Sequence, residues 1–293
     1  MTIVIHQAAL GDWVLTFPLL RGLSGKTTVV THWARARLAA RVVPGIEPMD
    51  IELREFSRLH SAVAPAALGP AVREMFAAST LVVSFVSNGS DPWARNVATI
   101  APRAKLVFVP PRPTQTWDGH IGDWHLHELA LQGVTIEPIA PAPGGRPDGP
   151  VVIHPGSGGR GKCWPSERFA AVVDALRADG LAVQPILGEV EVATWPAAQL
   201  RDWSRKRQAK VLDTLDELAD TIHAARLYIG NDAGPTHLAA QLGVPTLALF
   251  GPTPAAMRAP RGPKVTAPAP PHPADMNWLT ADDVTRAAQA MLE

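Results

Sequence analysis

The stretch GSGGRGKC, residues 156–163, carries glycines and a lysine in the G-x-x-x-x-G-K spacing with which a backbone loop and an ammonium group hold phosphate. In a nucleotide-hydrolysing loop the next residue is Ser or Thr, whose hydroxyl ligates Mg²⁺. Cys163 stands there instead, and a thiol is a poor ligand for a hard, oxygen-seeking cation. Pro165 suits a first helical position, so the following helix is predicted to start at Trp164 or Pro165 and to run through ERFAAVVDAL, leaving Lys162 ahead of it. With apolar VVI (151–153) before the glycines, the segment reads as an anion loop at a strand-to-helix corner and not as a Mg²⁺-dependent ATP site. The bland alternative is a Gly-rich turn with a solvated lysine.

Two further corners could do chemistry. In RLYIGNDAGPTHLAAQLGVPTLALFGPT, a strand over 226–230 ends at Asn231 and Asp232, and Pro235 marks the start of a helix over 235–242. The free N–H groups and positive dipole end of that helix favour a diphosphate, Gly234 permits close backbone approach, and His237 falls in the first turn. Asp232, just outside, is placed to hold sugar hydroxyls, although taken alone it reads equally well as an N-cap. In IHQAALGDWVLTFPLLRGL, a strand leads through Gly11 into a helix and sets Asp12 at a strand's carboxyl end, where a carboxylate is either an N-cap or a general base toward an incoming hydroxyl.

These corners need strands and helices in alternation to position them, and the chain supplies both. Apolar, β-rich runs are TIVIH (2–6), TTVVTH (27–32), LVVSF (81–85), KLVFV (105–109), VVIH (151–154), LAVQPIL (181–187), RLYIG (226–230) and TLALF (246–250). Between them lie helical patterns such as DWVLTFPLLRGL, ERFAAVVDAL and LDELADTIHAA. Alternation of this kind predicts parallel sheets with crossover helices, which bind ligands beyond the carboxyl ends of their strands. EPIAPAPGGRPDGP (137–150) reads as an interdomain linker, dividing the chain into two α/β domains that face each other across a cleft.

Composition narrows the function classes. The 293 residues have a formal net charge of zero, which leaves no electrostatic footprint for nucleic acid, and no apolar run is long enough to span a membrane. The N-terminus lacks a basic segment and passes directly into a strand pattern, so no signal peptide is expected. One cysteine excludes an internal disulfide or a Cys-based zinc site and fits a reducing cytoplasm. No D-x-D stretch offers a site for a catalytic divalent ion.

Three ordered segments, LGDWVLTFPLLRGL, HPGSGGRGKCWPSERFA and IGNDAGPTHLAAQLGVPTLALFGPT, resemble the signatures of the lipopolysaccharide heptosyltransferases, glycosyltransferase family 9. The likeness extends to LDELADTIHAARLYIG and to the closing LTADDVTRAAQAML, and is faint between about residues 30 and 145. The resemblance implies a GT-B fold of two Rossmann-like domains: an acceptor-binding domain over 1–145, a nucleotide-sugar-binding domain over 146–275, and a C-terminal helix over 276–293 that packs back on the first domain. It implies inverting, metal-independent transfer of a heptose or related sugar from ADP-heptose to a saccharide or lipopolysaccharide-core acceptor, without a cofactor. The implied location is the cytoplasm, with room for peripheral contact at the inner-membrane surface. By the same likeness Asp12 matches the general base and Lys162 the cation on the donor's phosphates. Ser157 and Gly158 match the turn beside the diphosphate, and Asp232, Ala233, Gly234 and His237 the donor loop. Glu191, with Glu189 as a near rival, matches the acid that holds the ribose hydroxyls.

The chain departs from the family pattern where Ala233 replaces a usual Thr and where the acceptor half is short. Both departures keep open a second reading, a catalytically silent nucleotide-sugar-binding protein of the same fold. Other features take plain readings. His125 and His127 lie in a helical pattern that points them apart, against a metal site. The basic run RDWSRKRQAK (201–210) reads as a solvated helix end, and the Lys162 charge beside Cys163 is expected to lower its thiol pKa.

Overall fold

The computed structural model describes residues 1–61 and 68–293. Two compact units divide between Ile139 and Ala140, inside the Pro/Gly-rich segment and six residues before the expected boundary at 145.

The first unit runs β1 (Thr2–Ile5), α1 (Leu10–Val14), α2 (Phe17–Gly22), β2 (Thr27–Thr31), α3 (Trp33–Val42), β3 (Ile46–Asp50), α4 (Arg54–Arg58), α5 (Pro70–Ala77), β4 (Leu81–Ser84), α6 (Pro92–Ile100), β5 (Lys105–Phe108) and α7 (Ile121–Leu131). Its five strands are all parallel, in the order β3-β2-β1-β4-β5. Every residue of β1 is buried, as expected of a central parallel strand covered on both faces. Ile3, Ile5, Val30, Val82, Phe76 and Trp93 lie at the heart of one core cluster. The single helix expected over DWVLTFPLLRGL is two: the chain turns at Leu15–Thr16, where Thr16 Oγ1 donates to Trp13 O at 2.7 Å, and Pro18 sits near the start of α2.

The second unit runs β6 (Val151–His154), α8 (Ser166–Ala178), β7 (Val183–Leu187), α9 (Glu189–Thr194), α10 (Ala197–Arg201), β8 (Lys210–Val211), α11 (Leu215–His223), β9 (Leu227–Asn231), α12 (Gly234–Gln241), β10 (Thr246–Leu249), α13 (Ala255–Arg258), β11 (Val265–Thr266) and α14 (Ala281–Leu292). Its sheet is also parallel, in the order β11-β10-β9-β6-β7-β8. The Pro/Gly-rich segment is stapled to this unit, with Gly144 N–H donating to Gly243 O at 3.0 Å and Arg146 N–H to Ala225 O at 2.9 Å. Closeness requires the glycine, since a Cβ on residue 144 would fall 2.2 Å from Leu242 O.

The closing helix corrects one expectation. Val284, Ala288 and Met291 of α14 are buried in the second unit's own core with Trp164, Phe169 and Leu176, so α14 is part of that unit and not a separate segment. Trp164 Nε1 donates to Leu279 O at 3.1 Å and Arg168 Nη1 to the same oxygen at 2.6 Å, anchoring the approach to α14.

In both sheets the chain order reverses once, at β1/β4 and at β6/β9. A crevice for ligands opens at the carboxyl ends of strands at such a switch point. The segment after β1 carries Asp12, the one after β6 carries Ser157 to Lys162, and the one after β9 carries Asp232 to Gly234.

Candidate nucleotide-sugar site

Parallel pairing of β6 and β9 sets His154 beside Gly230, so the loops leaving both strands start side by side. Asn231, the last residue of β9 and fully buried, fastens them together. Its Oδ1 accepts from Trp164 N–H at 3.0 Å, and its Nδ2 donates to Pro155 O at 2.8 Å and to Gly156 O at 3.2 Å. Thr236 Oγ1 donates to Asn231 O at 2.5 Å and Ser157 Oγ to Asp232 O at 3.3 Å, tying α12 and the Gly-rich loop to the same corner.

This frame presents a triplet of Lys162, Asp232 and His237. Lys162 Nζ donates to Asp232 Oδ2 at 2.6 Å, and His237 Nε2 lies 3.4 Å from Asp232 Oδ1. Burial works against a charge on Asp232, but the hydrogen bonds and charges of His237 and Lys162 outweigh it and hold the carboxyl down at about 2. The Lys162 side chain is 34% exposed while that of Asp232 is 6% exposed, so the carboxylate is fixed and the ammonium is the member with room to reach outward. Lys162 ends a single 3₁₀ turn over Arg160–Lys162, ahead of α8 as expected, but α8 itself begins at Ser166. Pro165 is its extended N-cap residue (φ −52°, ψ 129°) and not its first helical residue.

Ala233 caps α12 in an extended conformation and makes no side-chain capping hydrogen bond to the first N–H groups of this helix. Gly234 begins the helix, Pro235 follows, and His237 lies in the first turn, buried against Asp232. Around Gly158 nothing lies within 4 Å of where a Cβ would stand, so the turn at Ser157–Gly158 is open on that side.

Glu191 is buried, 1% exposed; its Oε2 accepts from Gly188 N–H at 2.7 Å and lies 3.2 Å from His154 Nε2. Burial opposes its ionisation, yet the bond to His154, that ring's charge and the Gly188 N–H keep its pKa below the usual carboxylate range. Glu189, at the start of α9, is exposed. Cys163 corrects another expectation: burial pushes its thiol pKa up, and the Glu191 charge adds to this, outweighing the lowering effect of a backbone hydrogen bond at Ser157.

In the first unit Asp12 lies in the first turn of α1. Close by is His6, 1% exposed and ringed by Trp13 (centroids 5.2 Å apart) and Phe85 (4.7 Å). Burial, then the charges of His125 and Arg35, push the His6 pKa down to about 3, against the opposing pull of Asp12. Trp13 Nε1 donates to Arg35 O at 3.1 Å, binding α1 to the first turn of α3.

A family model, glycosyltransferase family 9 (heptosyltransferase), matches residues 127–274, a span that holds the whole Asp232 cluster. The chain belongs to glycosyltransferase family 9. Lipopolysaccharide heptosyltransferase 3 of Escherichia coli is 34% identical over 106 residues, 35% of this chain and 31% of that relative, so the match spans about a third of the relative's length. Over nearly the full chain the family 9 fold recurs in solved structures. E. coli heptosyltransferase WaaC with ADP gives a TM-score of 0.69 at 17% identity, covering 99% of each chain. A family 9 glycosyltransferase from Veillonella parvula gives 0.70 at 18%, covering 99% of this chain and 96% of the other. E. coli ADP-heptose heptosyltransferase II gives 0.67 at 17% identity, covering 99% and 98%. The fold class is therefore GT-B, built here as two parallel-sheet units.

Asn231 and His154 are the site residues that the sequence did not single out. Their signal was present: each is a polar residue closing an otherwise apolar strand, VVIH and LYIGN, directly before a glycine- or proline-containing corner. Among the described residues no group of three His, Cys, Asp or Glu is arranged for a metal ion, and no helix is long and apolar enough to cross a membrane.

Proposed function

We propose that this chain is an inverting glycosyltransferase that moves a heptose or related sugar from ADP-heptose to a hydroxyl of a saccharide acceptor, of the kind found in the lipopolysaccharide inner core. The observation that carries this reading is the Lys162–Asp232–His237 triplet beside the uncapped start of α12, inside the span matched by the family model. A diphosphate meets backbone N–H groups and the positive end of a helix dipole there, with an ammonium in reach.

In the proposed reaction the acceptor oxygen bonds to the anomeric carbon as the bond from that carbon to the diphosphate oxygen breaks. The acceptor's proton passes to the Asp12 carboxylate, and the electron pair leaves with ADP. Lys162 rests on Asp232 in the free protein and turns to the diphosphate when the donor is bound; its charge matters most as negative charge accumulates on departing ADP. Asp232, kept ionised by His237, is then available to sugar hydroxyls. Ser157, Gly158, Ala233 and Gly234 contribute backbone around the diphosphate. No step calls for a metal, and peripheral contact with the inner-membrane surface is a corollary of a lipid-linked acceptor.

Asp12→Ala tests the assignment on the acceptor side. Transfer should fall by the 10²–10⁴-fold typical of a lost general base, roughly, while ADP affinity stays at the wild-type value. Wild-type turnover in this variant would remove Asp12 from the mechanism. The catalytically silent reading predicts ADP-heptose binding with no acceptor-dependent ADP release.

A further inference from the structure

We infer that Trp117, Trp124 and His127 form a sugar-stacking platform in the first unit, and that the ring it takes is an uncharged one of the acceptor saccharide. The inference rests on the transfer reading above for the ligand being the acceptor.

The platform stands at the edge of the sheet that carries Asp12. Strands β1, β4 and β5 are parallel neighbours, so the segments that follow them leave from one edge: Asp12 after β1, Phe85 after β4, and residues 109–120 after β5. Rings link these segments. The His6 ring touches Trp13 and Phe85, and Phe85 in turn meets His125 of α7 at 5.1 Å. His125 is buried, while His127 of the same helix is exposed. There Trp117 meets Trp124 edge-on at 5.3 Å, and the His127 ring lies 5.4 Å from Trp117 and 6.2 Å from Trp124, inclined to them by 34° and 37°.

Both indoles are locked. Trp124 Nε1 donates to Pro110 O at 3.0 Å, fastening the start of the segment to α7, and Trp117 Nε1 donates to His120 O at 3.3 Å. Trp117 N–H donates to Thr114 O at 3.1 Å, and a Cβ on residue 119 would fall 3.1 Å from Trp117 Cζ2, so Gly119 lets the backbone lie against the indole. With each indole N–H spent on backbone, the rings have π surface left to offer, already fixed in place, and a ligand need not bear the entropy of ordering them. Half-buried Trp117 and exposed His127 are the members of the group open to solvent. A pyranose presents a flat side of C–H bonds with hydroxyls around its rim, and that side fits a fixed ring. Charge selects among sugars. From Pro113 to Leu131 the chain carries Asp118, Asp123 and Glu128 and no Lys or Arg, so a phosphate or carboxylate on the sugar is repelled where a neutral ring is not.

Saturation-transfer NMR on the full chain tests the platform, with neutral trisaccharides of glucose, mannose and galactose set against acidic trigalacturonate. At least one neutral trisaccharide should receive saturation at its ring C–H protons, and trigalacturonate should bind more weakly. Trp117→Ala should weaken the neutral sugar by about tenfold, the scale of one lost aromatic contact, while ADP affinity stays at the wild-type value. Trp117→Phe, which keeps a ring, should recover most of the binding. Circular dichroism checks folding; should Trp117→Ala fail to fold, His127→Ala, at an exposed position, supplies the comparison and should also weaken the neutral sugar. Equal binding by the wild type and the folded alanine variant would overturn the inference. So would tighter binding of trigalacturonate, or no binding of any neutral trisaccharide. Neutral sugar bound through Trp117 without any ADP release from ADP-heptose would instead overturn the transfer reading, the platform standing as a saccharide site.

Discussion

At the scale of single residues, Lys162 is the group on which the donor reading turns. Its resting partner is Asp232, at 2.6 Å, and its partial exposure lets it exchange that carboxylate for a diphosphate. If it acts chiefly on the leaving group, Lys162→Ala should lower kcat as well as weaken ADP binding, since an interaction strengthened in the transition state appears in kcat. Steady-state kinetics check this; a variant changed only in KM would limit Lys162 to ground-state binding. Cys163→Ser, which restores a Ser after the lysine, should produce no Mg²⁺-dependent ATP hydrolysis, because α8 starts three residues further on and no metal group lies nearby among the described residues. The two corners that carry Lys162, Asp232, Gly234 and His237 were legible in the sequence because the glycines, the prolines and the strand pattern marked them. That Lys162 and Asp232 pair with each other was not legible, since their contact spans seventy positions of chain and depends on the β6–β9 register.

At the scale of elements, one carboxamide and one imidazole make the testable claims. Asn231 joins β9 to the loop after β6 through three hydrogen bonds, so Asn231→Ala leaves buried backbone groups unpaired at about 1–3 kcal/mol each. Denaturant unfolding should show the second unit destabilised, and ADP affinity should fall with it; unchanged stability would mean that water replaces the carboxamide. His6 gives the first unit a pH dependence. Its folded pKa is about 3 against 6.5 in the unfolded chain, so between these values the unfolded state binds a proton that the fold refuses. The contribution is fully present above pH 6.5 and is lost as pH falls toward 3. His6→Phe keeps the aromatic packing on Trp13 and Phe85, and its thermal midpoint should fall less than that of the wild type across this window. Parallel slopes would contradict the buried neutral imidazole. Eight strands were readable from their apolar runs, whereas β3, β8 and β11 were missed. The first contains Pro48 and two acidic residues and lies at a sheet edge, and the other two are two-residue edge strands too short for any periodicity. The start of α8 was misjudged by up to two residues because Pro165 suits an N-cap conformation as well as a first helical position.

At the scale of the whole molecule, two parallel-sheet units each offer chemical groups at their switch point: Asp12 after β1 in one, and the Lys162–Asp232–His237 triplet at β6/β9 in the other. The division of the chain was visible in its Pro/Gly-rich segment, but the allegiance of α14 was not, because an amphipathic helix does not announce which core it covers. The proposed activity is acceptor-dependent transfer from a nucleotide sugar. The most direct measurement is ADP release from ADP-heptose, followed with and without lipopolysaccharide-core saccharides and repeated in the presence of EDTA. ADP release is expected to require an acceptor, to be unaffected by EDTA, and to be lost in both Asp12→Ala and Lys162→Ala. ADP-heptose bound without release in the presence of any acceptor tried, or release abolished by EDTA, would contradict the proposed activity.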